Sequence, residues 1–244
     1  MNNDLILDKN YKRGSKGKKV KLIQEWLSLN GFGVVVDGDF SAASDFAVRQ
    51  FQNKNNLKPD GVVGKNTFAA LISPITFVLE QQPAKSLLGN TLVAYAKRHL
   101  KQSPREIGGQ NRGPWVRLYM KGNEGTQWAW CAGFACFLLQ QACKSRQLSL
   151  PITPSFSCDS LAASAKEKGL FLSERGLDRS AIKPGMFFLN RRTTTDWTHV
   201  GIVIETNEEV FMTIEGNTND EGSREGYEVC QRIRGYGKKD FIII

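Results

Sequence analysis

A chain of 244 residues that is 41% hydrophobic and 23% charged has the make-up of a soluble globular protein, with room for one large domain or a small and a medium one, which excludes a mostly disordered chain. The formal net charge of +9 is spread along the chain, +3 over residues 1–80 and +6 over the rest. It suits a polyanionic partner without choosing among nucleic acid, anionic membrane and bacterial wall.

Residues 1–11 read as an N-terminal tail. They have no basic and then apolar character, so no secretory signal is expected and synthesis in the cytoplasm is. No apolar run approaches a membrane span, and no membrane insertion is expected. The basic cluster Lys12, Arg13, Lys16, Lys18, Lys19 and Lys21 lacks interleaved aromatics, so nucleic acid is not the expected partner.

Residues 12–73 read as a compact helical unit. Val20, Ile23, Gln24 and Leu27 recur at helical spacing with Trp26 alongside, and the pattern ends at Asn30-Gly31. A second helix runs from Ser41, a plausible N-cap, to Gln52, with Phe46, Ala47 and Phe51 on its apolar side. A third follows Gly64 with Thr67, Phe68, Leu71 and Ile72. The connecting segments Val36-Asp-Gly-Asp-Phe-Ser41 and Pro59-Asp-Gly-Val-Val-Gly64 repeat one another, each an Asp-Gly turn leading into a helix. By itself this is a three-helix bundle with no implied ligand.

The run from Gly17 to Ile72, with V-x-x-I-Q-x-W-L, D-G-D-F, A-V-x-x-F-Q and L-x-x-D-G-V-V-G-x-x-T-x-x-A-L, resembles the three-helix peptidoglycan-binding domain of bacteria. It departs at Ser41-Ala-Ala-Ser44, where the family has a small residue and a Thr. The resemblance implies bacterial peptidoglycan as partner.

Residues 74–89, with Pro74, Pro83 and Gly89, read as a linker, and 90–244 as a second domain in which helices precede strands, an α+β arrangement. Asn90 is placed to cap a helix reaching His99, whose expected part is contact with that helix's C-terminus. Gln127 to about Cys143 is apolar on every side and predicts the buried central helix. Cys131 lies at its start, where the helix dipole favours a thiolate and the first-turn N–H groups are open to an oxyanion. Cys136 and Cys143 read as small core residues.

A strand at 186–190 and a polar loop at 191–196 lead into a hairpin, residues 197–205 and 210–215, turning near Asn207. Centred there, the ladder sets His199 directly opposite Glu215 and Asn217 opposite Trp197, all on one face. A histidine with a carboxylate across the ladder is either an ordinary surface pair or the base and orienting group that a cysteine nucleophile needs. The five cysteines, Cys131, Cys136, Cys143, Cys158 and Cys230, form no disulfide framework. With two histidines, His99 and His199, no metal and no cofactor is expected.

The ordered set W-C-A-G-F (130–134), P-G-M-F-F (184–188), T-H-V-G-I-V (198–203) and I-E-G-N-T (214–218) resembles the CHAP amidohydrolase/peptidase family, relatives of papain-like cysteine peptidases. Met186 and Thr198 stand where that family has Asp, and Gly or Ser. The resemblance implies a papain-like α+β domain, a central helix on an antiparallel sheet. In it Cys131 is nucleophile, His199 base, Glu215 its orienting residue and Asn217 a supporting polar group. It also implies cleavage of an amide bond in peptidoglycan, either muramoyl–L-alanine or a peptide link, in the periplasm or wall of a target or host bacterium. A phage endolysin and an antibacterial effector, the latter with a cognate immunity protein, both fit, as does a non-catalytic wall-binding protein with a relict site. A monomer is expected.

Overall fold

The computed structural model describes residues 3–83, 87–219 and 226–244. Among them the helices are α1 (Lys18–Leu29), α2 (Ala42–Lys54), α3 (Lys65–Leu71), α4 (Ser73–Leu79), α5 (Leu88–Leu100), α6 (Pro114–Tyr119), α7 (Cys131–Arg146) and α8 (Cys158–Glu167). The strands are β1 (Phe171–Leu172), β2 (Phe187–Thr193), β3 (Asp196–Thr206), β4 (Val210–Thr218), β5 (Glu228–Gly235) and β6 (Lys239–Ile242), joined in one antiparallel sheet of order β1-β6-β2-β3-β4-β5. The class is α+β, as expected. Two compact units result: Met1–Leu79 with Arg105–Thr126, and Glu80–Pro104 with Gln127–Ile244.

In the first unit, Val20, Ile23, Trp26 and Leu27 of α1 meet Val48 and Phe51 of α2 and Phe68 and Leu71 of α3 in a buried core. Phe46, expected to face inward, is 64% exposed, and Val48 takes the inward place. The repeated Asp-Gly turns are held alike. Buried Gln24 donates to Asp37 Oδ1 at 2.8 Å and Ser44 Oγ at 3.2 Å, and accepts from Gly38 N at 2.7 Å. Buried Gln52 donates to Asp60 Oδ1 at 3.0 Å and Thr67 Oγ1 at 3.1 Å, and accepts from Gly61 N at 3.0 Å. Each glutamine satisfies a turn and ties it to the next helix, so a buried amide carries the repeat.

Residues 74–79, read as the opening of a linker, belong to α4, with Pro74 in the first turn where its missing N–H costs no helical bond. Residues 105–126, read as part of the second domain, pack on the first unit. Trp115 meets Trp26 edge-on at 5.9 Å, and Arg117 bonds Asp4 at 2.6 Å, Glu25 at 2.6 Å and Glu124 at 2.7 Å. Trp115 and Glu25 are each 2% exposed, so their surroundings belong to the core. Deleting residues 1–79 removes Trp26 from Trp115 and strips Arg117 of two carboxylates. Losing the cover of a buried Trp costs about 3–5 kcal/mol. The truncated chain is therefore expected to melt earlier and aggregate, measured by thermal scanning and light scattering against the full chain.

In the second unit α7 is the central helix, packed on α5, β3 and β4, which explains its all-round apolar sequence. Close approaches fix it. A Cβ on Gly216 of β4 would lie 2.8 Å from atoms of Phe134 and Trp130, so glycine lets β4 press on the helix start.

The β3–β4 hairpin turns through Asn207–Val210, with Asn207 N donating to Val210 O at 3.0 Å. Its register differs from the expected one. Ile202 pairs with Ile214 and Val203 with Thr213, then the ladder shifts between Val203 and Glu205 so that Thr206 pairs with Phe211. The pairing is thus displaced by two residues at the His199 end. Because the side-chain period is two, His199 and Glu215 keep the same face.

Candidate active site

Cys131 is the first residue of α7, and the residue before it is held by a side chain from far along the chain. Trp130 precedes the helix with no side-chain cap of its own, and its N–H donates to Asn217 Oδ1 at 2.6 Å. Asn217 sits at φ 55 in the irregularity between Glu215 and Thr218, and its Nδ2 donates to Gly226 O at 3.0 Å. Asn217, expected opposite Trp197 and beside His199, is therefore occupied at the start of α7. Left-handed backbone is tolerated by asparagine better than by most residues, which accounts for the residue type there.

His199 Nε2 lies 2.8 Å from Glu215 Oε2. The His199 side chain also interacts with that of Cys131, which raises its pKa. Glu215 reaches the histidine diagonally across a glycine. Continuing the ladder by one residue puts Gly201 against Glu215, and a Cβ on Gly201 would stand 2.6 Å from Glu215 Cγ and 2.7 Å from Phe188 Cε1.

Two residues that sequence reading missed complete the shell of Glu215. Arg234 of β5 binds it in a fork, Nε to Oε1 at 2.8 Å and Nη2 to Oε2 at 2.6 Å, and the Thr213 hydroxyl donates to Oε1 at 2.5 Å. Glu215 is completely buried and fully occupied by these donors. Burial pushes its pKa up, but the bonds from Arg234 and His199 outweigh it and hold the carboxyl at about 2. Burial pushes His199 down, but its bonds to Cys131 and Glu215 raise it to about 9.

Cys131 is held well below an ordinary thiol. The Cys158 thiol beside it is the largest cause, burial opposes, and His199 and the Val200 N–H add to the lowering. Its partner Cys158 is pushed up by the same contact and by burial. Thiolate, imidazolium and carboxylate thus stand in a row, each charge stabilised by the next. That arrangement can deliver a sulfur nucleophile and a proton at neutral pH.

His99 is apart from this row. It is buried in α5 beside Phe134 and Phe137, its Nε2 is 2.9 Å from Gln141 Oε1, and burial lowers its pKa to about 3. It is a neutral core residue, and the expected contact with a helix terminus gives way to side-chain packing. Cys136 donates to Ser155 O at 3.4 Å and Cys143 is buried. Among the described residues no group of three or more His, Cys, Asp or Glu is placed to hold a metal ion. None of the helices described there is long and apolar enough to cross a membrane.

Residues 16–71 match the family described as "Putative peptidoglycan binding domain". Over these residues the chain therefore resembles a peptidoglycan-binding module, which supports a cell-wall-related protein. No curated protein matches the chain. Among solved structures, a fused Zn-dependent amidase/peptidase/peptidoglycan-binding domain-containing protein from Clostridium acetobutylicum ATCC 824 is 43% identical, over 26% of this chain and 28% of its own, with TM-score 0.26. The SleB N-terminal domain is 35% identical over 28% of this chain and 94% of its own, with TM-score 0.27. The chain thus spans little more than a quarter of the first of these proteins.

Proposed function

We propose that the second unit is a cysteine hydrolase that cuts an amide bond of peptidoglycan, with the first unit holding the polymer. The observation that carries this reading is Cys131 at the first position of α7, hydrogen-bonded to a His199 that is itself bonded at 2.8 Å to an ionised Glu215. The Cys131 thiolate attacks the carbonyl carbon, and the oxyanion is met by first-turn N–H groups of α7, which have no partner within the helix. The His199 imidazolium passes its proton to the leaving amine as the C–N bond breaks. Neutral His199 then takes a proton from water, which attacks the thioester and returns Cys131 as thiolate with the new carboxylic acid. Glu215 holds the ring and stabilises its charged form, Arg234 and Thr213 fix Glu215, and Asn217 fixes the start of α7.

The substrate class rests on the peptidoglycan-binding module, because a tether to the polymer raises the local concentration of its bonds around the second unit. Mass spectrometry of the products released from purified sacculi tests both the activity and the bond. Free stem peptides with intact glycan mean muramoyl–L-alanine cleavage, and shortened or uncrosslinked stems mean peptide cleavage. Sacculi left unchanged by the wild-type protein overturn the proposal.

Gly201 supplies a finer check. A methyl at this position displaces Glu215 from its diagonal reach to His199. Gly201→Ala is expected to lower kcat by about tenfold or more with little change in sacculus binding, measured by release of soluble fragments and by co-sedimentation.

A further inference from the structure

In the hydrolysis above Cys158 serves only to help hold Cys131 as thiolate, yet it is itself a thiol brought to the nucleophile. It is the first residue of α8, just as Cys131 is the first residue of α7. The start of α8 is fixed twice. Ser157 caps it by accepting from Ser160 N at 3.4 Å, and Asp159 Oδ1 accepts from Trp197 N at 2.7 Å, two residues before His199. Both α7 and α8 pack on β3, the strand that carries the histidine. The side chains of Cys131 and Cys158 hydrogen-bond to each other, with residue exposures of 6% and 7%. The neighbouring Cys136 donates its thiol to Ser155 O at 3.4 Å.

We propose that Cys131 and Cys158 form a reversible oxidation site, in which a peroxide oxidises Cys131 and Cys158 traps the product as a disulfide. The Cys131 thiolate attacks one oxygen of hydrogen peroxide, breaking the O–O bond to give a sulfenic acid and hydroxide. The Cys158 thiol then attacks that sulfur, forming the S–S bond and expelling water. Two thiols have lost two electrons to the peroxide, and a dithiol reductant returns them. The proposal rests on the ionised Cys131 of the hydrolase reading. It adds that the chemistry which makes this sulfur a nucleophile also makes it the target of peroxide. A vicinal thiol in contact diverts the sulfenic acid from irreversible oxidation to sulfinic acid.

The test uses the full chain, treated with hydrogen peroxide, blocked with iodoacetamide and digested with trypsin, with and without dithiothreitol before blocking. In the wild type, peptide 122–144 is expected to be joined to peptide 147–166, with fragment ions placing the link between Cys131 and Cys158. Dithiothreitol should restore Cys131 to alkylation. In Cys158→Ala, Cys131 is expected as sulfinic or sulfonic acid, with reducible Cys131 about fivefold or more below wild type. Cys158→Ser, which keeps the side-chain size and a hydrogen-bond donor, is expected to behave like Cys158→Ala.

A wild-type Cys131 that over-oxidises as fast as in Cys158→Ala overturns the proposal, and so does a link from Cys136 to Cys158. Sacculus lysis by the unoxidised sample reports the hydrolase reading separately. A chain that closes the Cys131–Cys158 bond but never lyses sacculi keeps this proposal and overturns that one.

Discussion

Cys131→Ala is expected to abolish release of soluble fragments from sacculi, a loss of at least about a thousandfold, while sacculus binding and the melting curve stay near wild type. The loss is this large because no other described sulfur combines its features, the first position of α7, the Cys158 and Val200 donors, and contact with His199. Cys131→Ser should be nearly as inactive, because an alcohol in this place stays protonated where the thiol is ionised. Binding should survive because residues 16–71 fold around their own core in the first unit. Co-sedimentation with sacculi and turbidity of the same suspension measure the two properties side by side. A Cys131→Ala protein that still lyses sacculi would sink the assignment of the nucleophile.

Glu215→Gln is expected to reduce kcat by roughly ten- to a thousandfold, about 1.4–4 kcal/mol of transition-state stabilisation. The amide keeps the size of the carboxylate but removes the charge that raises His199 and pairs with Arg234. With that support gone, the His199 pKa falls from about 9, so the alkaline limb of the pH–rate profile should move to lower pH. Stability should fall too, by up to about 3 kcal/mol, the low end for a broken buried pair because the Arg234 side chain is 22% exposed.

Glu215 is held at about 2 against an ordinary 4.5, so its contribution is complete above 4.5 and lost as pH falls towards 2. His199 is held at about 9 against an ordinary 6.5, so its contribution is complete below 6.5 and lost as pH rises through 9. In the variant both dependences should flatten, measured by melting temperature against pH. Asn217→Ala should differ in kind. It removes the Oδ1 acceptor of the buried Trp130 N–H ahead of α7 and costs roughly 1–3 kcal/mol of stability, with the alkaline limb unmoved because Asn217 bonds Trp130 and Gly226 and not His199. An alkaline limb that shifts in Asn217→Ala and stays in Glu215→Gln would reverse the two roles.

What could be read from the residues had a clear physical signature. An all-round apolar run predicts a central helix, and α7 is one, with Cys131 at its first position. The His199–Glu215 pairing survived an error in register because strand alternation preserves the face under a shift of two. The irregularity between Val203 and Glu205 has no local sequence mark, so the shift itself was not legible. Arg234 and Cys158 reach the site through strand pairing and helix packing across long separations, and neither stands in a motif. Gln24 and Gln52 belonged to the visible helical pattern, but their part as clamps of the repeated turns depends on burial. The place of residues 105–126 was illegible for the same reason. Trp115 and Arg117 find their partners, Trp26 and Glu25, only in three dimensions.

That excursion of the chain bears on how the protein comes apart. The backbone passes between the units at residues 79–80, 104–105 and 126–127, so three covalent links join them. One proteolytic nick between residues 79 and 80 frees neither unit, since residues 1–79 remain held to 105–126 by the Trp26–Trp115 contact and the Arg117 carboxylates. A nicked preparation would run as two bands under denaturing conditions and as one species on a sizing column. By the same logic, a genetic exchange that carried only the first 79 residues to another protein would leave part of the first unit behind.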